Sequence, residues 1–216
     1  MPDEQNPDGS AAPVPPGGEA AASAAPPPAP AVKPAPPKPA APPKAPAVMA
    51  ATPWEGGLAQ ELKNQFGAAI KESSTYAGQN FIVAAPEAAI GILDNLKVAG
   101  DFDYLVDITA VDWPKRADRF ELIYILYSFS RNERVRIKTA IPDGYRPASA
   151  VGVHLTANWL EREIFDMFGI EFAGHPDLRR ILMPDEWQGY PLRKDYSILK
   201  QDQQWVQENL GIESGQ

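Results

Sequence analysis

The sequence predicts an α+β fold preceded by a disordered Ala/Pro-rich N-terminal tail: a mixed or antiparallel sheet with two N-terminal helices, then a third helix and a long extended C-terminal strap. Three observations support it. Two helical segments precede three runs with strand-like patterning, which is typical of helices packed on a sheet. A third helical segment near 155–168 leads into roughly 28 aperiodic residues, too long and too apolar for an ordinary loop. Residues 1–53 are largely Ala and Pro.

The Ala/Pro-rich segment contains no aromatic residue, Leu or Ile. It cannot bury enough apolar surface to offset the entropy lost on ordering, so it is predicted to be a disordered tail. The predicted organisation is a tail at 1–53, an α+β domain at 54–145, a helix with its strap at 146–196, and a C-terminal tail at 197–216.

The first helix is predicted within residues 54–66. Leu58, Leu62 and Phe66 recur every four residues and form one apolar stripe. Gly67 follows at a position typical of a helix stop.

A hairpin and a second helix are predicted next. Residues 70–85 contain two strand-like stretches separated by turn residues at 77–80. Pro86 then opens a helical segment, where its missing N–H costs no hydrogen bond, and Gly100 lies where a helix is expected to end.

Three strands are predicted at 102–113, 119–130 and 134–141. Alternation in the first places Phe102, Tyr104, Val106 and Ile108 on one apolar face. The second run is apolar at both odd and even positions, so we expect that strand to be covered on both faces.

Composition excludes several kinds of function. Without cysteine, the chain cannot hold a disulfide, an iron–sulfur cluster or a Cys-ligated zinc ion. The net charge of −8 argues against non-specific nucleic-acid binding. No apolar run approaches the roughly 18 residues needed to cross a bilayer, so we expect membrane contact only through partners. The acidic, Arg-free start resembles neither a transit peptide nor a secretory signal.

Charged residues are concentrated in residues 159–182, within and after the third helix. That helix has apolar residues on two sides, which predicts that it is covered on two sides. Arg162 and Asp166 are spaced to pair along the helix. Glu161 and Glu163 need partners from elsewhere, since an unpaired buried charge is costly. The candidate partners are Arg179, Arg180 and Arg193.

We interpret the charged cluster as an ionic network that fastens the strap to the helix. A metal site is disfavoured because the acids lack the i, i+4 spacing of helical ligands and only two histidines are present. A glycosidase-type acid pair is disfavoured because Glu161 and Glu163 point apart on the helix. His175 precedes Pro176 in a turn-like context, where a lone histidine usually bonds to backbone. Trp187 is expected to dock on a partner.

One long stretch resembles a known family. The run "NWLEREIFDMFGIEFAGHPDLRRILMPDEWQGYPLRKDY", residues 158–196, resembles the signature of the 30 kDa subunit family, also called the C subunit, of bacterial proton-pumping NADH:quinone oxidoreductase, respiratory complex I. The triplet Glu-Arg-Glu, the run Leu-Arg-Arg-Ile-Leu and the closing Gly-Tyr-Pro-Leu-Arg-Lys-Asp-Tyr match in order and spacing. The resemblance covers about residues 54–196 and nothing in the tail.

The resemblance implies a scaffold subunit of the peripheral arm, part of the enzyme but without a catalytic centre. FMN and iron–sulfur clusters are implied in partner subunits, with none bound by this chain. The implied partners are the D subunit, which forms the quinone site, and the cluster-bearing B and I subunits, at the cytoplasmic side of a bacterial inner membrane. The implied interface residues are Glu161, Arg162, Glu163, Asp166, His175, Arg179, Arg180, Trp187, Arg193 and Asp195.

Two other functions remain open from the sequence. A membrane-bound hydrogenase or related respiratory complex uses a similar subunit. A free-standing adaptor would bind SH3-like partners through the Pro-rich tail.

Overall fold

The computed structural model describes residues 50–197 and 203–211, so most of the predicted tail lies outside the described residues. Within the described part the chain is α+β, as predicted. Its helices are α1 (Gly57–Phe66), α2 (Ala89–Val98), α3 (Ala157–Phe168) and α4 (Gln203–Leu210). The first three were predicted; α4 falls in the predicted C-terminal tail and was missed.

Six strands form one mixed sheet. They are β1 (Thr52–Pro53), β2 (Ile70–Tyr76), β3 (Gln79–Ala84), β4 (Tyr104–Asp112), β5 (Phe120–Ser128) and β6 (Glu133–Ile141). Their order is β1-β2-β3-β6-β5-β4. Strands β3 and β6 run parallel, while the other neighbouring strands are antiparallel. The sheet therefore joins an N-terminal hairpin to a three-stranded meander through one parallel contact.

The predicted hairpin is β2 and β3, joined by a tight turn. Ala77 and Gly78 both adopt positive φ, at 51° and 73°. Two consecutive left-handed residues match the right-handed twist of the strands they connect. The turn is shorter than predicted, because Gln79 and Asn80 already pair with β2.

The hydrophobic core lies between one face of the sheet and helices α1, α2 and α3. Fully buried side chains from each layer meet there, and the largest apolar ones include Phe102, Phe120, Leu62, Ile82, Ile92, Leu93, Leu96, Leu122, Leu126, Ile137 and Ile141. Full burial of one such side chain contributes about 1.5–3 kcal/mol. Ile164, Met167 and Phe168 of α3 belong to the same core. The third helix is thereby fixed on the sheet.

The prediction of which β4 side chains share the apolar face is wrong at the start of the strand. A bulge between Leu105 and Asp107 shifts the register with β5. Because a bulge inserts one extra residue, the side chains before it point to the opposite face from that expected by simple alternation. Leu105 is therefore buried, whereas Tyr104 is 48% exposed.

Strand β5 is covered on only one face by the described residues. Leu122, Tyr124 and Leu126 are fully buried in the core. Ile123 and Ile125, which point the other way, are only partly buried and do not belong to that core. The predicted cover of the second face is therefore not found in the described part of the chain.

Candidate functional site

The predicted site lies where α3 meets the segment that follows it, which we call the strap (residues 169–196). Helix α3 ends at Phe168 and is capped by Gly169, whose φ of 73° suits a left-handed helix cap. The strap contains turns and bends, with one isolated bridge between Ala148 and Ala173. With so little regular structure, its arrangement depends largely on side-chain contacts with the rest of the chain.

Asp166 is the main anchor of the strap. Its side chain is fully buried, and Oδ1 accepts a 2.6 Å hydrogen bond from Arg180 Nη1. Oδ2 accepts three backbone N–H groups, from Ile181 at 3.0 Å, Leu182 at 2.7 Å and Met183 at 2.8 Å. One carboxylate thus accepts the hydrogen bonds of three successive backbone N–H groups in a turn of the strap.

Electrostatics keep Asp166 ionised. Burial alone would raise its pKa, but the hydrogen bonds from Met183, Leu182, Arg180 and Ile181 together outweigh burial and hold the pKa below its usual value. Because all four donors favour the charged form, the carboxylate acts as a fixed anion.

Arg180 extends this anchor further along the strap. Besides Asp166, its guanidinium donates to the carbonyls of Trp187 at 3.0 Å and Gly189 at 3.1 Å. The fork geometry of arginine allows these contacts to be made together. Two parts of the strap are therefore tied to each other as well as to α3.

The predicted ion pair between Arg162 and Asp166 is not formed. Its Nε and Nη2 donate instead to the carbonyls of Arg179 at 3.1 Å and Arg180 at 3.0 Å. Asp166 is already occupied by donors from the strap, so the i, i+4 pair loses that competition.

Glu161 is fully buried but is not held by an arginine, so the candidate partners named for it were wrong. It accepts 2.6 Å hydrogen bonds from Ser149 Oγ and from the backbone N–H of Ala150. Burial raises its pKa, and these two hydrogen bonds only partly oppose the shift. Glu161 fastens the loop before α3 rather than the strap.

Three predicted residues lie at or near the surface of the junction, with His175 half-buried. Glu163 is exposed and forms no ion pair within residues 50–197 and 203–211. Arg179 is exposed and pairs with Asp177 at 3.0 Å. His175 Nδ1 accepts the Asp177 N–H, so its Nε2 is the nitrogen that donates to the carbonyl of Asn158. The histidine bonds to backbone, as expected.

The far end of the strap is held by a second charged group, in which Asp195 was predicted from the sequence but Arg119 and Asp112 were not. Arg119 donates to Asp112 from Nε and Nη2, both at 2.8 Å, and to Asp195 at 2.7 Å. Asp112 also accepts the backbone N–H of Lys194. The hydrogen bond from Arg119 is the main reason that the pKa values of Asp112 and Asp195 lie below their usual values.

Arg193 joins the strap end to α3. It donates to the carbonyl of Phe168 at 2.6 Å and pairs with Asp143 at 3.0 Å. Asp143 was not identified from the sequence, because it lies 50 residues away and only the fold brings it here.

Trp187 lies near the surface and is half-buried. Its ring packs edge-on against Trp205 of α4 at 5.5 Å, and its Nε1 is buried without a hydrogen-bond partner in the described residues. That this residue docks on a partner remains a prediction.

The contacts of Asp166 and Glu161 favour a structural role for these carboxylates over a catalytic one. Asp166 and Glu161 accept several donors each and do not line the groove of about 540 Å³ beside α3. That groove is apolar, and its wall includes the exposed Trp159 and Leu155. In the part of the chain that the structure describes, no three His, Asp or Glu side chains are grouped to hold a metal ion. Likewise, no described helix is long and apolar enough to span a bilayer.

The fold is shared with a chain of known structure. It matches a chain in "Structure of the membrane-bound sulfane sulfur reductase (MBS), an archaeal respiratory membrane complex", with a TM-score of 0.59 and 24% identity, over 72% of this chain and 90% of that one. The family follows from a separate match. The chain belongs to the family described as respiratory-chain NADH dehydrogenase, 30 Kd subunit, whose model matches residues 82–202.

Curated relatives agree with the family. The C subunit of NADH-quinone oxidoreductase from Geobacter sulfurreducens is 40% identical over 67% of this chain and 90% of its own length. The protein of the same name from Trichlorobacter lovleyi is 45% identical over 64% of this chain and 87% of its own length. That from Dinoroseobacter shibae is 48% identical over 53% of this chain and 54% of its own length. The names support the complex I hypothesis and not the hydrogenase or adaptor alternatives.

Proposed function

We propose that the chain is the C subunit of NADH-quinone oxidoreductase, a non-redox scaffold of the peripheral arm. In this role it supports electron transfer from NADH to quinone, coupled to proton translocation, without reacting itself. The observation that carries the proposal is the family match over residues 82–202, which includes α3 and the whole strap. The buried polar contacts of α3 serve mainly to fasten that strap.

The absence of a catalytic centre is part of the proposal. Asp166 and Glu161 are the fully buried carboxylates of α3, and each is occupied by donors from its own chain. A general acid or base needs hydrogen-bond reach to a substrate, which these contacts deny. Without cysteine, iron–sulfur clusters belong in partner subunits, as does FMN.

The proposed partners are the quinone-site D subunit and the cluster-bearing B and I subunits. Association with the membrane is peripheral and passes through these partners, on the cytoplasmic side of a bacterial inner membrane. The exposed aromatic and aliphatic residues beside α3 support a contact of this kind, because large exposed apolar groups commonly mark protein interfaces.

The predicted interface residues separate into two roles. Those that bond within the chain, buried or partly buried, shape the strap and the loop before α3: Glu161, Arg162, Asp166, Arg180 and Arg193. Those at the surface or half-buried are proposed to touch partners: Glu163, His175, Arg179, Trp187 and Asp195. The division follows from what each side chain can reach: the first group bonds to α3, the strap or the loop before α3, whereas the second group keeps surface open to a partner, although His175, Arg179 and Asp195 also form contacts within the chain.

Copurification tests the proposal most simply. The tagged full-length chain, solubilised from its own membranes, should bring the other peripheral-arm subunits with it, as identified by mass spectrometry. Charge reversal Arg179→Glu should weaken that recovery, because this guanidinium is exposed. The matched control Arg146→Glu reverses another exposed arginine, one paired with Glu171. Recovery of the chain alone, or with unrelated proteins, would contradict the proposed function.

A further inference from the structure

The second face of the sheet, which we call the open face, carries a row of cations. Arg134, Arg136 and Lys138 alternate along β6 with the buried Val135 and Ile137. Alternate residues of a strand point to one face, so the three cations lie about 7 Å apart in a line. Such a row is unfavourable by itself, because like charges repel.

Apolar side chains flank the cations on both sides. In the register, Arg136 lies opposite Ile125 of β5 and beside Phe81 of β3, and Lys138 lies opposite Ile123. Paired residues share a face of the sheet. The open face therefore has a basic row bordered by aliphatic and aromatic groups.

Few carboxylates offset this row within the described residues. Lys138 lies 3.8 Å from Glu121, and its Nζ lies 4.5 Å from the centre of the Phe81 ring. Arg134 and Arg136 form no ion pair in residues 50–197 and 203–211. Glu72 and Asp107 also belong to this face by register, but neither is within ion-pair distance of the two arginines.

Arg136 has an unsatisfied donor. Its Nε is buried and has no hydrogen-bond partner in the described residues. Next to it is a cavity of about 240 Å³ lined by Ala51, Tyr76, Phe81, Arg136 and Lys138. A buried charged donor without an acceptor is costly, so a partner for it is expected.

We propose that the open face binds an acidic segment of a partner subunit, with one of its carboxylates in the cavity beside Arg136 and Lys138. Apolar side chains of the same segment would cover Ile123 and Ile125. The proposal rests on the proposed function, since the assembly supplies the partner.

Charge and apolar surface together favour a protein segment over other anions. A long polyanion or an anionic membrane would extend beyond the cationic row and meet the rest of a chain whose net charge is −8, whereas a short acidic segment meets the row alone. A free small anion would satisfy Arg136 but would leave the aliphatic rows uncovered. An acidic segment with apolar residues satisfies both, in agreement with the expected cover of β5 on two faces.

Charge reversal tests the open face. The tagged full-length chain is produced in its native cells and recovered from their membranes. The double variant Arg134→Glu/Arg136→Glu should lower recovery of partner subunits with the tagged chain by about tenfold or more. Lys115→Glu/Arg131→Glu changes net charge by the same amount at exposed positions of two turns and should recover partners like the wild type. Normal recovery with the first variant would overturn the inference.

A cross-link identifies the occupant without relying on that variant's folding. Tyr76 is 44% exposed at the cavity and can be replaced by p-benzoylphenylalanine, with Val98, 76% exposed on α2, as the control position. Irradiation of the assembled complex should join position 76 to a peptide rich in Asp or Glu from another subunit. Reversing those acids to Lys should then restore assembly of Arg134→Glu/Arg136→Glu.

The outcomes separate the two proposals. A wild-type chain that brings no respiratory subunits would contradict the proposed function, and this inference with it. A chain that assembles normally but cross-links from position 76 to lipid, to residues 1–49, to a peptide without acids or to nothing would overturn this inference alone.

Discussion

The strap junction and the open face treat charge in opposite ways. At the junction, the fully buried Asp166 accepts four hydrogen bonds from its own chain, and Arg180 uses its guanidinium on Asp166 and on strap carbonyls. On the open face, Arg134 and Arg136 have no carboxylate partner in the described residues. The comparison teaches that a charge-rich segment need not be the contact surface. Its charges can be satisfied in shaping the chain, and a less conspicuous strand can carry the unpaired ones.

The largest expected effect is at Asp166. Asp166→Asn removes the anion that Arg180 and three backbone N–H groups require, and leaves a guanidinium unpaired at 14% exposure. Breaking one side of a buried ion pair costs about 3–5 kcal/mol. Urea unfolding of the purified chain should show a loss of this size. Glu163→Gln, on the same helix but exposed, should stay within about 0.5 kcal/mol of the wild type. A loss at Asp166 no larger than at Glu163 would contradict the anchoring role.

The junction should also be sensitive to the helix cap. Gly169→Ala places a side chain at φ 73° and into the ring of Tyr190, so stability should fall by about 2 kcal/mol. Gly152→Ala is the matched control, since a Cβ there meets open space. Thermal unfolding of both variants measures the difference. Equal melting temperatures would show that the strap does not depend on this close approach.

Acid should loosen the strap. The pKa values of Asp166, Asp112 and Asp195 lie below normal in the folded chain. Their stabilising contribution is fully present above the unfolded-state pKa of about 3.9, and is lost as pH falls through the lower folded values. Stability measured between neutral pH and the acid range should decline below that point, and Asp166→Asn should show a smaller decline. An identical pH dependence in variant and wild type would count against this explanation.

The smallest effect is expected at the strap end. Asp195 is 60% exposed, so Asp195→Ala should cost about 0–1 kcal/mol despite its contact with Arg119. Added salt should reduce that difference by screening the pair. Unfolding at low and high ionic strength is the measurement. A large loss of unfolding free energy that does not depend on salt would contradict the expectation that this exposed ion pair contributes little.

The elements of this fold were predictable where local patterning decides them. The apolar period of Leu58, Leu62 and Phe66 predicted α1, and the turn residues near Gly78 predicted the hairpin. The bulge in β4 and the parallel pairing of β3 with β6 were not predicted. They arise from contacts between distant strands, and no local pattern specifies them.

The candidate site was predicted in composition but not in pairing. Arg180 was expected to meet an acid of α3, yet Asp166 rather than Glu161 holds it. The deciding factor is the turn that presents three successive N–H groups to one carboxylate, which depends on backbone geometry. Arg119 and Asp195 lie 76 residues apart, so their pairing had no signal in the sequence.

The central claim is that the buried carboxylates of α3 hold structure and perform no proton chemistry. The most direct test is Glu161→Gln. The amide keeps an oxygen acceptor for the Ala150 N–H and removes a carboxyl group whose ionised form is disfavoured by burial. NADH:quinone turnover should be measured in membranes and divided by the amount of assembled complex. The predicted result is a value equal to the wild type. A fully assembled complex that has lost turnover would contradict the claim.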